Sequence, residues 1–251
     1  MAGKLRSADA LNEVSERKNY MQKLFKVVDK VIINEVVINT DTQNYSSVLT
    51  KAEELKEYLE IMTLISSNCT IPISVLATIN NGIALFGQDY LQQLPLSKNG
   101  LFTADQITKQ DADKQFLMKE ADIVSFIDMI DKIGFKSPFE GYYIWEYLFE
   151  RARPLINSDL PKRDESFFLF ETITDCERYI KEYKANGKIC QVELVEVKKS
   201  FRADMNILNE IPNNFTASDV LKSAIKYWDE QSSTNPFYEI IFQGKCILKP
   251  L

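Results

Sequence analysis

Segments rich in Val and Ile lie near both ends of the chain, and a long stretch with helical spacing separates them. The first segment covers residues 24–40, and the others lie between residues 166 and 249. β-branched and aromatic residues at this density are typical of strands. A lone hairpin formed by residues 24–40 is only marginally stable in water. We therefore predict that these first strands pair with the C-terminal strands, which gives an α+β fold.

The chain accordingly divides into four predicted parts. Residues 1–23 form a short polar helix, residues 24–46 the first strands of the α+β core, residues 47–153 a large helical insertion, and residues 154–251 the remainder of the core. A competing layout has a helical domain followed by a separate C-terminal α+β domain. Pairing of residues 24–40 with later strands favours the first layout.

Helical periodicity marks the middle of the chain. The predicted helical segments are 55–65, 72–79, 103–118, 122–133 and 142–153. The last of them is rich in aromatic residues and is expected to end before Pro154, since proline interrupts helices. Large aromatic side chains are usually core residues, so we expect Trp145 to be mostly buried.

The C-terminal part alternates between predicted strands and helices. Strands are expected at 166–172 and 188–197, and a hairpin break at Gln243–Gly244 is expected to divide the last apolar segment into two strands. Two helices begin at sequences typical of capping boxes, Thr174 with Glu177 and Thr216 with Asp219.

Histidine is absent from the chain, and the four cysteines show no CxxC spacing. Because these residue types supply most zinc ligands, we expect no metal site. The absence of histidine also excludes Ser-His-Asp and Cys-His catalysis. The cysteines are predicted to stay reduced and buried as small hydrophobic residues.

The net charge of −6 disfavours generic binding to nucleic acids, which depends on Lys and Arg neutralising phosphates. No apolar run reaches the ~18–20 residues that a bilayer span requires. The N-terminal sequence also lacks the apolar region of a secretory signal. A soluble cytoplasmic protein with no membrane partner is therefore expected.

Three predicted strands carry a polar residue on a face that is otherwise apolar: Lys26, Ser166 and Glu239. A charge on an apolar face is costly unless it is paired, so such residues are often functional or salt-bridged. For Glu239 three explanations stand open. It is an exposed charge at a strand edge, a buried ion pair with Lys26 or an arginine, or a carboxylate that stabilises a cationic transition state.

Residues Pro161 to Leu251 resemble bacterial domains of the ADP-ribosyltransferase-like superfamily. The resemblance lies in these pieces, in order: PKRDESFFLF, TITDCERYIKEY, ICQVELVEV, FRADMNIL, a helix ending in Tyr227-Trp228, and YEIIFQGKCILK. The N-terminal LFKVVDKVIINEVVINTD resembles the first strand pair of that superfamily. The resemblance implies a split β-core with NAD⁺ in a cleft, interrupted here by the helical insertion.

The superfamily's site positions fall on residues of three strands. The resemblance implies that Lys26 orients the dinucleotide, that Ser166 and Phe168 lie beside the nicotinamide, and that Glu239 is the catalytic carboxylate. Arg153 and Arg163 are candidates for the pyrophosphate, because a guanidinium binds phosphates through two parallel hydrogen bonds. The implied activity is NAD consumption by a toxin or defence effector. It transfers ADP-ribose to a protein, a nucleic acid or water, and an antitoxin or inhibitor is its expected partner.

Two features depart from the superfamily's pattern. Lys26 replaces the usual Arg or His, and Phe237 occupies the position of a second acidic residue, which makes transfer to a protein arginine unlikely. Arg202 and Asp204 match an Arg-x-Asp of related domains. We expect these two residues to have a structural role as a salt bridge. Two alternatives to the enzyme stay open: an inactive domain of the same fold that acts as a binding module, and a helical interaction protein.

Overall fold

The structure, a computed structural model, describes residues 23–45, 55–69, 72–73, 76–77, 101–102, 118–119, 142–209, 211 and 215–251. These residues form an α+β fold. The strands are β1 (Leu24–Val28), β2 (Val36–Asn39), β3 (Leu101–Phe102), β4 (Met118–Lys119), β5 (Phe167–Leu169), β6 (Lys188–Asp204) and β7 (Tyr238–Lys249). The helices are α1 (Lys56–Cys69), α2 (Tyr142–Ile156), α3 (Ile173–Tyr183), α4 (Asn206–Asn209) and α5 (Ala217–Trp228). Among these helices, none has the length and apolarity needed to cross a membrane.

Five strands form one antiparallel sheet in the order β1-β6-β7-β2, with β5 also paired to β7. Leu24 lies opposite Val192 of β6, and Ile38 lies opposite Cys246 of β7. The predicted pairing of residues 24–40 with C-terminal strands is therefore confirmed. The boundaries of a helical insertion stay a prediction.

The sheet curls so that β1 meets the end of β5. β1 lies beside β6, whereas β5 lies beside β7 on the far side of the β6–β7 pair. Phe25 and Phe170 nevertheless form a β-bridge, with each backbone N–H donating to the other's carbonyl over 2.8 Å. The bridge brings Lys26 of β1 close to Phe168 of β5, and this closure positions the site described below.

The helices cover the sheet through an aromatic and aliphatic core. α1, α2 and α5 contribute side chains that pack with Phe201 and Ile241 of the long strands. Trp145 of α2 is partly buried against this core. Three cysteines, Cys176, Cys190 and Cys246, are free and buried, as predicted for small hydrophobic residues.

The last strand runs without a break through Gly244, so the predicted hairpin at Gln243–Gly244 is wrong. The extra residues lie instead in β6, where the register shifts between Leu194 and Glu196 and again between Val197 and Lys199. Gly244 lies opposite this bulge with φ 141°, a backbone conformation that favours glycine. A Cβ there would lie 2.0 Å from the carbonyl oxygen of Glu196. The sequence pattern predicted a turn at Gly244. The structure shows instead that glycine is required there by a bulge in the facing strand.

Substitution Gly244→Ala is expected to lower the free energy of unfolding by about 2–3 kcal/mol, because alanine is strained at this φ and its Cβ meets backbone. Chemical denaturation of both proteins measures the loss. Lys245→Ala, at the position after Gly244, is the control. It removes only a surface ion pair with Glu196 and should cost about 0.5 kcal/mol. Equal losses in the two variants would contradict the strain at Gly244.

Two helix boundaries differ from those predicted. The N-cap of α3 is Thr172, whose Oγ1 accepts from the N–H of Asp175 over 3.0 Å, and not Thr174. Both threonines have an acidic residue three positions later, and the end of β5 decides between them. α2 continues past Pro154 to Ile156, so the helix does not end before the proline. The capping box of Thr216 and Asp219 is confirmed.

The helix predicted for residues 103–118 does not include Met118, because Met118 and Lys119 form β4 and pair with β3. The rest of that helix, the helix at 122–133 and the polar helix before residue 23 lie outside the described residues. The predicted helix at 55–65 is confirmed as α1, which extends to Cys69.

Candidate active site

A cavity of about 600 Å³ opens where β1, β5 and β7 approach α2, α3 and α4. Its size is typical of small-molecule sites. Four charged side chains line one part of it, namely Lys26, Glu146, Arg163 and Glu239. The remaining wall is mainly aromatic and apolar, with Trp145, Phe168, Phe170, Tyr179, Tyr183, Met205 and Leu208.

Glu239 is a buried carboxylate with one anchored oxygen. The residue is only 6% exposed, although it lies on a strand of mostly apolar residues. Its Oε1 accepts from the hydroxyl of Tyr227 at 2.6 Å and from Nη1 of Arg163 at 2.9 Å. No donor from the described residues contacts Oε2. The explanation as an exposed edge charge is therefore wrong, and a buried ion pair with an arginine is present.

Arg163, in a short turn before β5, joins two carboxylates from different parts of the fold. Its Nε lies 2.8 Å and its Nη2 3.2 Å from the two oxygens of Glu146 on α2, while Nη1 binds Glu239. Burial alone would lower the pKa of Arg163, but Glu146 and Glu239, together with Tyr227, raise it well above the ordinary value. The guanidinium is thus a permanent cation whose hydrogen bonds are largely used within the protein. This leaves little of it for the predicted contact with a pyrophosphate.

Tyr227 completes this group from the last turn of α5. Its hydroxyl also contacts Nη1 of Arg163, and burial raises the pKa of the phenol well above its ordinary value. Tyr227 therefore stays protonated and donates to Glu239.

Lys26 faces the cavity without a carboxylate partner. Its Nζ donates to the carbonyl oxygen of Phe168 over 2.7 Å and lies 4.5 Å from the centre of the Phe167 ring. Among the described residues, no carboxylate lies within ion-pair distance of this amine. Burial, followed by the positive charge of Lys184, lowers the pKa of Lys26 from 10.5 to about 8.

This shift predicts a pH-dependent stability. Between pH 8 and 10.5 the folded state binds fewer protons at Lys26 than the unfolded state, so the contribution of Lys26 to stability rises with pH in this window and is lost as the pH falls through about 8. Lys26→Met lacks this contribution. The stability of the variant relative to the wild type should therefore fall by about 2 kcal/mol between pH 7.5 and 10. Urea denaturation of both proteins across this range checks it, and a constant difference would contradict it.

Two predicted site residues do not reach the cavity. The hydroxyl of Ser166 donates to the carbonyl of Lys162, and the residue is 1% exposed. Arg153 binds the carboxylate of Glu150 and the carbonyl oxygens of Ser158 and Leu160, so it holds the chain that follows α2. Phe168 does line the cavity, and its ring lies 4.9 Å from the guanidinium of Arg163.

Three residues at or behind the cavity were not predicted as site residues. Trp145 and Glu146 line the cavity, and Tyr227 lies behind it and binds Glu239. Glu146 is an isolated acidic residue within the aromatic run YYIWEYLF, which is the same signal that marked Glu239 on its strand. The indole Nε1 of Trp145 is buried and has no hydrogen-bond partner in the part of the chain that the structure describes.

Arg202 and Asp204 do not pair with each other. Arg202 forms an ion pair of 2.8 Å with Glu171, so an ion pair at this position is present. Asp204 accepts from the backbone N–H groups of Asn206, Ser233 and Phe237, which fixes the end of β6 against the start of β7. Within the described residues, no group of three or more Cys, Asp or Glu side chains is placed to hold a metal ion.

Comparison with known families gives one match. The model of a family described as "Protein of unknown function (DUF2441)" matches residues 18–248. No curated protein matches the chain.

Proposed function

The chain belongs to the DUF2441 family of unknown function, and we propose that it is an NAD⁺-consuming enzyme with an ADP-ribosyltransferase-like split core. The observation that carries the proposal is the convergence of Lys26, Phe168 and Glu239 on one cavity. These residues come from β1, β5 and β7, the three strands on which the resemblance puts the superfamily's site. The bridge between Phe25 and Phe170, which curls the sheet, supports the split core.

The cavity offers groups suited to cleavage of the nicotinamide–ribose bond. As this bond breaks, positive charge develops on the ribose, and a carboxylate against the ring stabilises it. Glu239 is held through Oε1, which leaves Oε2 to face the sugar. The nicotinamide leaves as a neutral molecule, so no general acid is required. The chemistry therefore needs no histidine.

The cavity also offers groups that bind the dinucleotide. The Phe168 ring offers a face on which nicotinamide stacks. Lys26, the cavity cation without a carboxylate partner among the described residues, provides positive charge for the dinucleotide. Phe237 in place of a second acidic residue favours water or an acceptor other than arginine. By analogy of fold we include a role as a toxin or defence effector held in check by a partner protein.

Release of nicotinamide from NAD⁺ tests the proposal. The purified protein is incubated with NAD⁺ labelled in the nicotinamide ring, and free nicotinamide and ADP-ribose are separated and quantified. The same protein after unfolding is the control. Release well above the control supports the enzyme, whereas the absence of release at millimolar NAD⁺ contradicts it.

One observation favours the alternative of a binding module. The charge of Glu239 is already partly compensated by Arg163, which also binds Glu146, so less of it is available to a ribosyl cation. Under this alternative, titration calorimetry detects NAD⁺ binding that depends on Phe168 and Lys26, while no nicotinamide is released. Calorimetry and the release assay together separate the two functions.

A further inference from the structure

The Lys26 amine is arranged differently from an ordinary surface lysine. It lies at the wall of the cavity and is held by a neutral carbonyl oxygen and the face of an aromatic ring. One N–H is sufficient for the bond to Phe168, so a neutral amine keeps this contact and has its lone pair free. Lysines desolvated in this way act as nucleophiles toward carbonyl groups.

Charged and titratable groups act on Lys26 from several neighbouring elements. Lys184 and Cys176 face it from α3 and the residue that follows it, Cys190 from β6, and Glu239 from β7. Burial and Lys184 outweigh Glu239 and hold the pKa of Lys26 at about 8. At pH 7 about a tenth of the amine is then neutral, compared with less than about a thousandth for a lysine open to water.

We propose that Lys26 is a covalent capture site for small hydroxyaldehydes, including open-chain sugars, which it binds as a Schiff base inside the cavity. The neutral Nζ adds to the carbonyl carbon, and the carbonyl oxygen leaves as water with both amine hydrogens. The product is an imine, and no oxidant or reductant is needed. The site does not depend on whether the cavity turns over NAD⁺.

The surroundings of Lys26 match the needs of this product. The imine nitrogen takes up a proton from solvent, and the resulting N–H donates to the carbonyl of Phe168 in place of the amine's bond. Its positive charge is stabilised by Glu239 on the neighbouring wall. The buried Nε1–H of Trp145, which has no acceptor among the described residues, provides a donor for a hydroxyl oxygen of the bound molecule.

Reductive trapping with glycolaldehyde tests the site. The native full-length protein is treated at pH 7.0 with glycolaldehyde and cyanoborohydride, which reduces the imine to a stable hydroxyethyl-lysine, and peptide mass mapping gives a rate for each lysine. Lys188, which is exposed at the start of the adjacent strand β6, is the internal comparison. We expect Lys26 to react about ten-fold faster than Lys188. This ratio takes into account that access of the aldehyde to Lys26 is restricted by the cavity.

Two outcomes would overturn the proposal. The first is a native rate at Lys26 that does not exceed the rate at Lys188. The second is a ten-fold preference that persists in 8 M urea, because the preference would then come from local sequence and not from the cavity. In Lys26→Arg, which keeps the charge and cannot form an imine, the rates at all other lysines should be unchanged.

Discussion

Replacement of Arg163 by methionine is expected to lower the free energy of unfolding by about 3–5 kcal/mol, the cost of removing one partner from a buried ion pair. Methionine fills a similar volume but leaves the carboxylates of Glu146 and Glu239 buried without their shared cation. Tyr227 continues to donate to Glu239, which compensates only a part of the loss. Chemical denaturation at pH 7 measures the effect.

A matched control distinguishes this cost from the general loss of an arginine. Arg151→Met removes an exposed ion pair with Glu60 and should change stability by no more than about 0.5 kcal/mol. A deficit that is no larger than that of Arg151→Met would show that the three-residue cluster contributes little.

Glu239→Gln is expected to reduce nicotinamide release by ~10²–10³-fold, the effect of losing one key electrostatic stabiliser of a transition state. The amide oxygen of glutamine takes the place of Oε1 and accepts from Tyr227 and Arg163, so the fold is kept. The affinity for NAD⁺ should change by less than about three-fold, because only the charge facing the ribose is lost. Release assays and calorimetry on the same preparation measure both quantities.

Glu146→Gln is the control for this variant. It also removes one carboxylate from Arg163, so both variants should lose similar stability. It leaves the carboxylate of Glu239 in place, and turnover should fall by less than about ten-fold. An equal fall in both variants would mean that the charge balance of Arg163, and not contact between Glu239 and the ribose, controls the reaction. Unchanged turnover in Glu239→Gln would remove Glu239 from the mechanism.

Sequence patterns predicted the parts of the site that depend on strand alternation. A charged residue on an apolar face marked Lys26 and Glu239, and composition marked the strand of Phe168; the structure brings these three residues to one cavity. The pattern failed for Ser166, which precedes β5 and turns toward Lys162. An alternation rule holds only inside a strand.

Other features depend on contacts that no local pattern contains. Gly244 is fixed by a bulge some fifty residues earlier in β6. Thr172 and Thr174 have the same spacing to an acidic residue, and only the end of β5 selects the first. Glu146 and Tyr227 enter the site because α2 and α5 pack over the sheet, which sequence spacing does not reveal.

The position of β7 in the sheet has a consequence for the order of folding. β7 pairs with β2, β5 and β6, yet it follows all three of them in the chain. Because translation proceeds at ~5–20 residues per second, at least several seconds pass between the synthesis of β2 and that of its partner. Glu239 lies on the same late strand. The cavity is therefore assembled only after β7 has been synthesised, and nascent chains that end before β7 lack the candidate active site.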